Sequence, residues 1–517
     1  MENFIILLPH SEFSKFLPPD PVRLSGRIKT KIRFYIHFFI EKVINKYLAS
    51  QIKSNFPFNP TAEQENCLEN ISEFILSADD RKVFMLCGYA GTGKTTLISA
   101  LVKTMSQLER RCVLLAPTGR AAKVFSSYSG KSAYTIHKWI YRQKSILNGS
   151  PFVLMENRAV NTMFIVDEAS MIANEGGSVF GTGALLDDLI EFVYSGQGCF
   201  LLLLGDTAQL PPVGEELSPA LSEEYLRSLF LDVTRVELTH VMRQLDGSGV
   251  LQNATMLRDI IRSGECGFVP KVKLKGFADI CVVTGEELIE AIEGSYSSVG
   301  VEETIVLCRS NKRANVYNEG IRRRILYREE ELNRGDMLMV VKNNYYWREV
   351  LGKEDKSLLD KIDFIANGDV AQIVRVGGIE EMYGFRYAEV TLSLIDYEDC
   401  EIDVMIMLDT LTSESPSLTR DENERLFTAV WEDYPEIRSK RKRMEALRNN
   451  PYYNALQVKY GYAVTCHKAQ GGQWCNVFLD QGYVTEDMMN ADYYRWLYTA
   501  FTRATEKLYL VNWRVTE

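Results

Sequence analysis

Short apolar runs without polar interruption recur from about residue 56 onward, at 83–87, 113–116, 164–166, 200–204 and 304–307. Each is flanked by segments of helical period. Runs of this kind suit strands of a parallel sheet covered on both faces. Between about 330 and 410 the texture changes to alternation, as in Cys400-Glu-Ile-Asp-Val-Met-Ile406 and in 370–376 and 386–394, with a turn signal at Asn367-Gly-Asp369. Alternation predicts a small antiparallel β barrel or sheet inserted into the α/β frame. Residues 412–450 read as helical and contain the basic run Arg438-Ser-Lys-Arg-Lys-Arg443. The α/β texture then resumes to the end.

The 517 residues allow three or four structural units at roughly 150 residues each. Hydrophobic residues at 46% and charged residues at 25% exclude a disordered or fibrous chain. A net charge of −10 excludes a general basic coat but leaves room for a local basic groove. No apolar run reaches the roughly 20 residues of a membrane helix, and the richest, 34–40, stops at Glu41. The ten cysteines form no C-x-x-C pair, so their spacing suggests neither zinc nor iron–sulfur ligation. A reducing, cytoplasmic setting is expected. Residues 21–40 carry Arg23, Arg27, Lys29, Lys31 and Arg33 without an acid, and nothing in the pattern assigns them a role.

The strongest chemical signal is Gly88-Tyr-Ala-Gly-Thr-Gly-Lys-Thr95, which fits G-x-x-x-x-G-K-[ST] between an apolar strand and a helical run. Gly88, Gly91 and Gly93 let the backbone curl so that the N–H groups of the loop, Thr92 and Thr96 included, surround phosphates at a helix N-terminus. Lys94 then reaches the β- and γ-phosphates of ATP, and Thr95 binds Mg²⁺. A second strand ends in Phe164-Ile-Val-Asp-Glu-Ala-Ser170. Adjacent acids at a strand tip assign Asp167 to Mg²⁺ and Glu168 to the attacking water. A third strand runs into Asp206-Thr-Ala-Gln-Leu-Pro-Pro212, where Gln209 is either a γ-phosphate contact or a plain loop amide.

In this order, the segments resemble the motifs of the superfamily 1 helicases of the 5′-to-3′ branch, the RecD-like and Dda-like group. The resemblance covers about 56–517 and joins a P-loop ATPase to UvrD-like C-terminal motor motifs. It implies that Gln64, in Thr61-Ala-Glu-Gln64, binds adenine and that Gln209 senses the γ-phosphate. It makes Arg243, in Leu238-Thr-His-Val-Met-Arg-Gln244, and Arg503, in Leu497-Tyr-Thr-Ala-Phe-Thr-Arg-Ala504, arginine fingers. In the segment Tyr462-Ala-Val-Thr-Cys-His-Lys-Ala-Gln-Gly471, Gly471 falls with the nucleotide-binding residues. Pro117, Thr118, Arg120, His137, Thr465, His467 and Lys468 would line a single-strand track.

The implied fold is two RecA-like motor domains with a small hairpin insertion and an inserted SH3-like barrel. The expected divisions are 1–55, a segment of unassigned role; 56–240, the first motor domain, with a pin-bearing insertion at 138–160; 241–328 and 451–517, the second; and 329–450, the barrel with a helical segment. The implied activity is ATP-dependent 5′-to-3′ translocation on single-stranded DNA and unwinding at single-strand/duplex junctions, in replication, recombination or repair. The alternatives are a translocase with weak unwinding, an RNA helicase of the same superfamily, and a nucleotide switch. A monomer is expected. The chain departs from the family in having Gln473 where a ribose-contacting Glu is frequent, and Glu215-Glu216 where small residues are frequent.

Overall fold

A computed structural model describes residues 42–77, 79–143, 152–174, 182–241, 247–354, 362, 364–397 and 400–513. The first unit is a parallel sheet. Its strands are β1 (Lys82–Gly88), β2 (Arg111–Ala116), β3 (Ala133–Thr135), β6 (Thr162–Val166), β7 (Phe200–Gly205) and β8 (Asp232–Leu238), in the spatial order β3-β2-β6-β7-β1-β8. β4 (Tyr141–Gln143) and β5 (Phe152–Leu154) form a separate antiparallel hairpin. Every residue of β1 and β6 is buried, which is why these runs carry no polar interruption. The residues expected at the hairpin's turn, 144–151, lie outside the described ones.

Helices α1 (Ala62–Leu76), α2 (Lys94–Gln107) and α3 (Gly119–Ser129) flank this sheet, and the short α4 (Ile136–Ile140) follows β3. Thr61 and Gln64 close a reciprocal capping box at the start of α1. A helix over 42–54 buries Leu48 and Ile52 in the same core as Phe84, Leu97 and Leu101. Asn55 donates to Thr104 Oγ1 at 2.9 Å. The apolar face of this stretch thus makes 42–54 part of the first unit's core, although the sequence texture changes only near residue 56.

The second unit is also a parallel sheet, ordered β16-β10-β17-β18-β9. Its members are β9 (Ile280–Val283), β10 (Thr304–Cys308), β16 (Ala463–Thr465), β17 (Trp474–Asp480) and β18 (Ala504–Val511). Helices α5 (Gly249–Ser263), α6 (Asn311–Gly320) and α9 (Ala491–Phe501) accompany it. Between β10 and β16 the chain builds a closed barrel from β11 (Met337–Val340), β12 (Val370–Met382), β13 (Phe385–Leu394), β14 (Cys400–Met407) and β15 (Leu456–Tyr460). The barrel pairs are antiparallel except for the closing β14–β15 contact. Helices α7 (Arg420–Glu432) and α8 (Lys440–Arg448) lie between β14 and β15.

A buried ion pair ties barrel to sheet. Asp336, fully buried before β11, accepts from Arg322 at 2.9 Å, from Arg328 at 2.8 Å and from Tyr462 at 3.0 Å. A loop at 410–416 is gripped by side chains around it. Asn311 donates to Glu414 O at 3.0 Å, Asn315 to Thr412 O at 2.6 Å, Lys459 to Thr410 O at 3.1 Å and Lys468 to Pro416 O at 3.2 Å.

Candidate nucleotide cleft and strand track

β1 delivers its C-terminal tip into the glycine loop, and α2 leaves from it. Gly93 at φ +85° is the N-cap of α2, and a Cβ there would lie 2.5 Å from Gln64 Nε2, so only glycine fits. Thr92 Oγ1 donates to Tyr89 O at 2.8 Å. Lys94 Nζ donates to Gly88 O and, at 3.1 Å, to Tyr89 O. Thr95 is exposed and Thr96 half-buried at the start of α2. Gln64 is only 2% exposed. Its Nε2 donates to Thr92 O at 3.0 Å and its Oε1 accepts from Thr61 N at 3.0 Å. The carboxamide therefore braces the loop from the side of α1 and is not turned outward toward a base.

β1, β7 and β6 are neighbours in the sheet, so their tips bring Lys94, Asp206 and the Asp167–Glu168 pair together. Asp167 Oδ1 accepts from Glu168 N at 2.8 Å, and Tyr128 of α3 donates to Asp167 Oδ2. Glu168 sits at φ +52°, a left-handed conformation unusual for a residue with a side chain. Burial raises the pKa of Asp167. Burial and then the neighbouring Asp167 raise that of Glu168, while Arg503 and Lys94 pull it back. Burial also raises Asp206 against the pull of Lys94. Gln209, 8% exposed, keeps its Oε1 buried with no hydrogen-bond partner, and so does the Ser170 hydroxyl.

The second sheet supplies Arg503, 3% exposed at the start of β18. Its guanidinium donates to Thr499 O and to Gly472 O, both at 3.0 Å. Arg243 lies outside the described residues.

The track candidates follow β2 and β3 of the first sheet and β16, an edge strand of the second. Pro117 and Thr118 follow β2, His137 is in α4 after β3, and Thr465 ends β16. Thr118 Oγ1 caps α3 by accepting from Ala121 N at 3.2 Å. Arg120 lies over the Trp474 ring at 4.0 Å. Gly471, at φ +74°, packs its backbone against Ala121, where a Cβ would come within 3.0 Å of Ala121 Cβ. The Gly471-Gly472 segment is thus wedged between α3 on one side and Arg503 on the other. Burial pulls the His137 pKa down to about 4, which leaves its imidazole neutral at pH 7. His467 is exposed, and Lys468 is pulled down to about 7 by burial and by Lys459.

A family model described as an AAA domain matches residues 61–264, and one described as the UvrD-like helicase C-terminal domain matches 460–511. The ATP-dependent RecD2 DNA helicase of Deinococcus radiodurans is 31% identical over 176 residues, 34% of this chain and 21% of that protein. The ATP-dependent DNA helicase dda of Enterobacteria phage T4 is 24% identical over 420 residues, 74% of this chain and 84% of that one. The crystal structure of a Bacteroides Pif1 helicase in complex with ADP-AlF3 and ssDNA matches at 16% identity, covering 89% of this chain and 94% of that one, with a TM-score of 0.43.

The chain is similar to superfamily 1 helicases at both ends of the motor, through the AAA domain over 61–264 and the UvrD-like C-terminal domain over 460–511. The cleft fits a nucleotide. The unpartnered Gln209 Oε1 and the three desolvated acids facing Lys94 and Arg503 form a polar pocket that its own side chains do not saturate. Among the described residues no group of three or more His, Cys, Asp and Glu could hold a metal by itself, and no helix is long and apolar enough to cross a membrane.

The sequence did not mark several side chains of the cleft and the candidate track. Tyr128 donates to Asp167 from 39 positions away. Tyr498, within the segment 497–504, bonds Asp206 from 292 positions away. Lys459 sits on the barrel's last strand beside the track. No local pattern marks any of these, because each acts only through a tertiary contact.

Proposed function

We propose that the chain is an ATP-driven DNA helicase that travels 5′ to 3′ on single-stranded DNA and opens duplex at single-strand/duplex junctions. One observation carries this reading. The nucleotide candidates follow β1, β6 and β7 of the first sheet, the track candidates follow β2 and β3 of that sheet and the edge strand β16 of the second, and Gly471-Gly472 touches α3 of the track and Arg503 of the cleft. A nucleotide switch needs no such joint. The two DNA helicases matched above favour DNA over RNA.

In this reading Lys94 and the loop N–H groups hold the phosphates. Thr95 and Asp167 would hold Mg²⁺, a cation that binds through one or two protein oxygens plus substrate phosphates. When bound, Mg²⁺ neutralises charge developing on the transferred phosphoryl group. Glu168 orients the attacking water and takes its proton. Gln209 offers its unpartnered amide to the γ-phosphate, and Arg503, with Arg243, stabilises charge from the second unit. Gln64 holds the loop in shape. Thr465, His467, Lys468 and the α3 and α4 residues take the strand backbone, so binding follows phosphates rather than sequence. A monomer acting in the cytoplasm, in replication, recombination or repair, completes the proposal.

The test is steady-state ATP hydrolysis with and without single-stranded DNA. Strong stimulation by DNA and little by RNA is expected. Equal rates with and without DNA would refute the reading.

A further inference from the structure

Tyr498, a side chain of the second unit, grips the phosphate loop by a hydrogen bond to its backbone. It is 1% exposed, on α9, one turn before Arg503. Its hydroxyl accepts from Ala90 N of the glycine loop at 2.9 Å. It donates its single proton to Asp206 Oδ2 at 2.6 Å. The next residue continues the grip, since Thr499 Oγ1 accepts from Leu210 N at 2.9 Å. Gln470, just before Gly471, donates to Leu210 O at 2.7 Å. The loop after β7, which carries Asp206 and Gln209, is therefore held from both sides by the second unit.

We propose that Tyr498 is a positioning residue that reports phosphate occupancy of the glycine loop to the loop after β7 and to the second unit. The inference rests on the nucleotide and strand reading above. Its physical basis is competition for one donor. The glycine loop binds phosphates through backbone N–H groups, and Ala90 N–H is one of them. In the absence of phosphate that N–H is satisfied by the Tyr498 hydroxyl. A phosphate taking the N–H releases the hydroxyl from the glycine loop. The hydroxyl then keeps only Asp206, so α9 resettles relative to the glycine loop while Thr499 still holds the loop after β7 at Leu210. Binding at one site thus biases an arrangement that the strand track shares through Gln470 and Gly471.

The test uses the full chain, the variant Tyr498→Phe and a fluorescent non-hydrolysable ATP analogue with Mg²⁺. Two quantities are read without turnover: the affinity for the analogue, and the ratio of single-stranded DNA affinities with and without it. Removing the hydroxyl removes the competitor, so the analogue should bind about three- to tenfold tighter, the size of one hydrogen bond to a buried donor. The analogue's effect on DNA affinity should shrink at least as much. A tyrosine that merely supports the fold would give weaker analogue binding, and that result, or an unchanged DNA ratio, overturns the proposal. If Tyr498→Phe does not melt cooperatively, Thr499→Val, which cuts the same loop at Leu210, must reduce the DNA ratio or the proposal fails. A wild-type chain whose DNA affinity ignores the analogue would instead count against the motor reading, and tighter analogue binding by Tyr498→Phe would still report the competition.

Discussion

The nucleotide cleft and the strand track are electrostatic opposites built by the same means. In the cleft, burial holds Asp167, Glu168 and Asp206 above the usual carboxylate range. On the track, burial pulls Lys459 down to about 8 and Lys468 down to about 7. Desolvation disfavours the charged form of each group, so each region is strained toward neutrality until a counter-charge arrives. The difference teaches which ligand each one fits. The cleft has a surplus of acids beside Lys94 and wants a cation with a phosphate chain. The track has lysines leaning on the carbonyls of loop 410–416 and wants phosphates alone.

The largest expected effect breaks the cleft and leaves the track. Lys94→Ala should abolish ATP hydrolysis while DNA binding persists, measured as steady-state turnover beside a DNA titration. Turnover in the variant would remove Lys94 from the phosphate site. Arg503→Ala should lower turnover about 10³-fold or more, and a change under about tenfold would reduce the residue to its bonds with Thr499 and Gly472. Glu168→Gln should bind nucleotide and DNA yet turn over about 10²- to 10³-fold more slowly. Near-normal turnover in that variant would free Glu168 of its role toward water.

A smaller effect sharpens the contrast through pH. Glu168 must be charged to take a proton, and its raised pKa means turnover should fall on the acid side. Lys468 must be charged to hold a phosphate, and its lowered pKa means the charge is lost as pH rises through about 7. DNA affinity should therefore weaken severalfold between about pH 6 and pH 8 at fixed salt, at roughly 1 kcal/mol per phosphate contact. Lys468→Arg should flatten that slope, because arginine stays charged. A slope that survives in Lys468→Arg would place the titrating group elsewhere.

The parts of this account that were legible in the sequence are those carried by a single strand and its tip. The apolar runs of β1, β6 and β7 and the residues just after them fixed three cleft elements, because a buried parallel strand leaves no choice about where its polar end emerges. The barrel was legible from alternation in β13 and β14, but its end was not: Leu456–Tyr460 also alternates and closes the barrel as β15, whereas the sequence reading assigns 451–517 to the second motor domain. Gln64 was legible as a position, and the contacts of its carboxamide were not. The capping box that starts α1 occupies its oxygen, and the glycine loop occupies its nitrogen. Tyr128 and Tyr498 were not legible because their partners lie 39 and 292 positions away.

The central claim is that nucleotide turnover in the cleft drives motion of the track in one direction. The most direct measurement is strand separation, with ATP and Mg²⁺, of two partial duplexes that differ only in whether the single-stranded tail is 5′ or 3′. Unwinding of the 5′-tailed substrate alone is the predicted result. Unwinding from the 3′ tail, or separation of neither substrate despite DNA-stimulated hydrolysis, would contradict it.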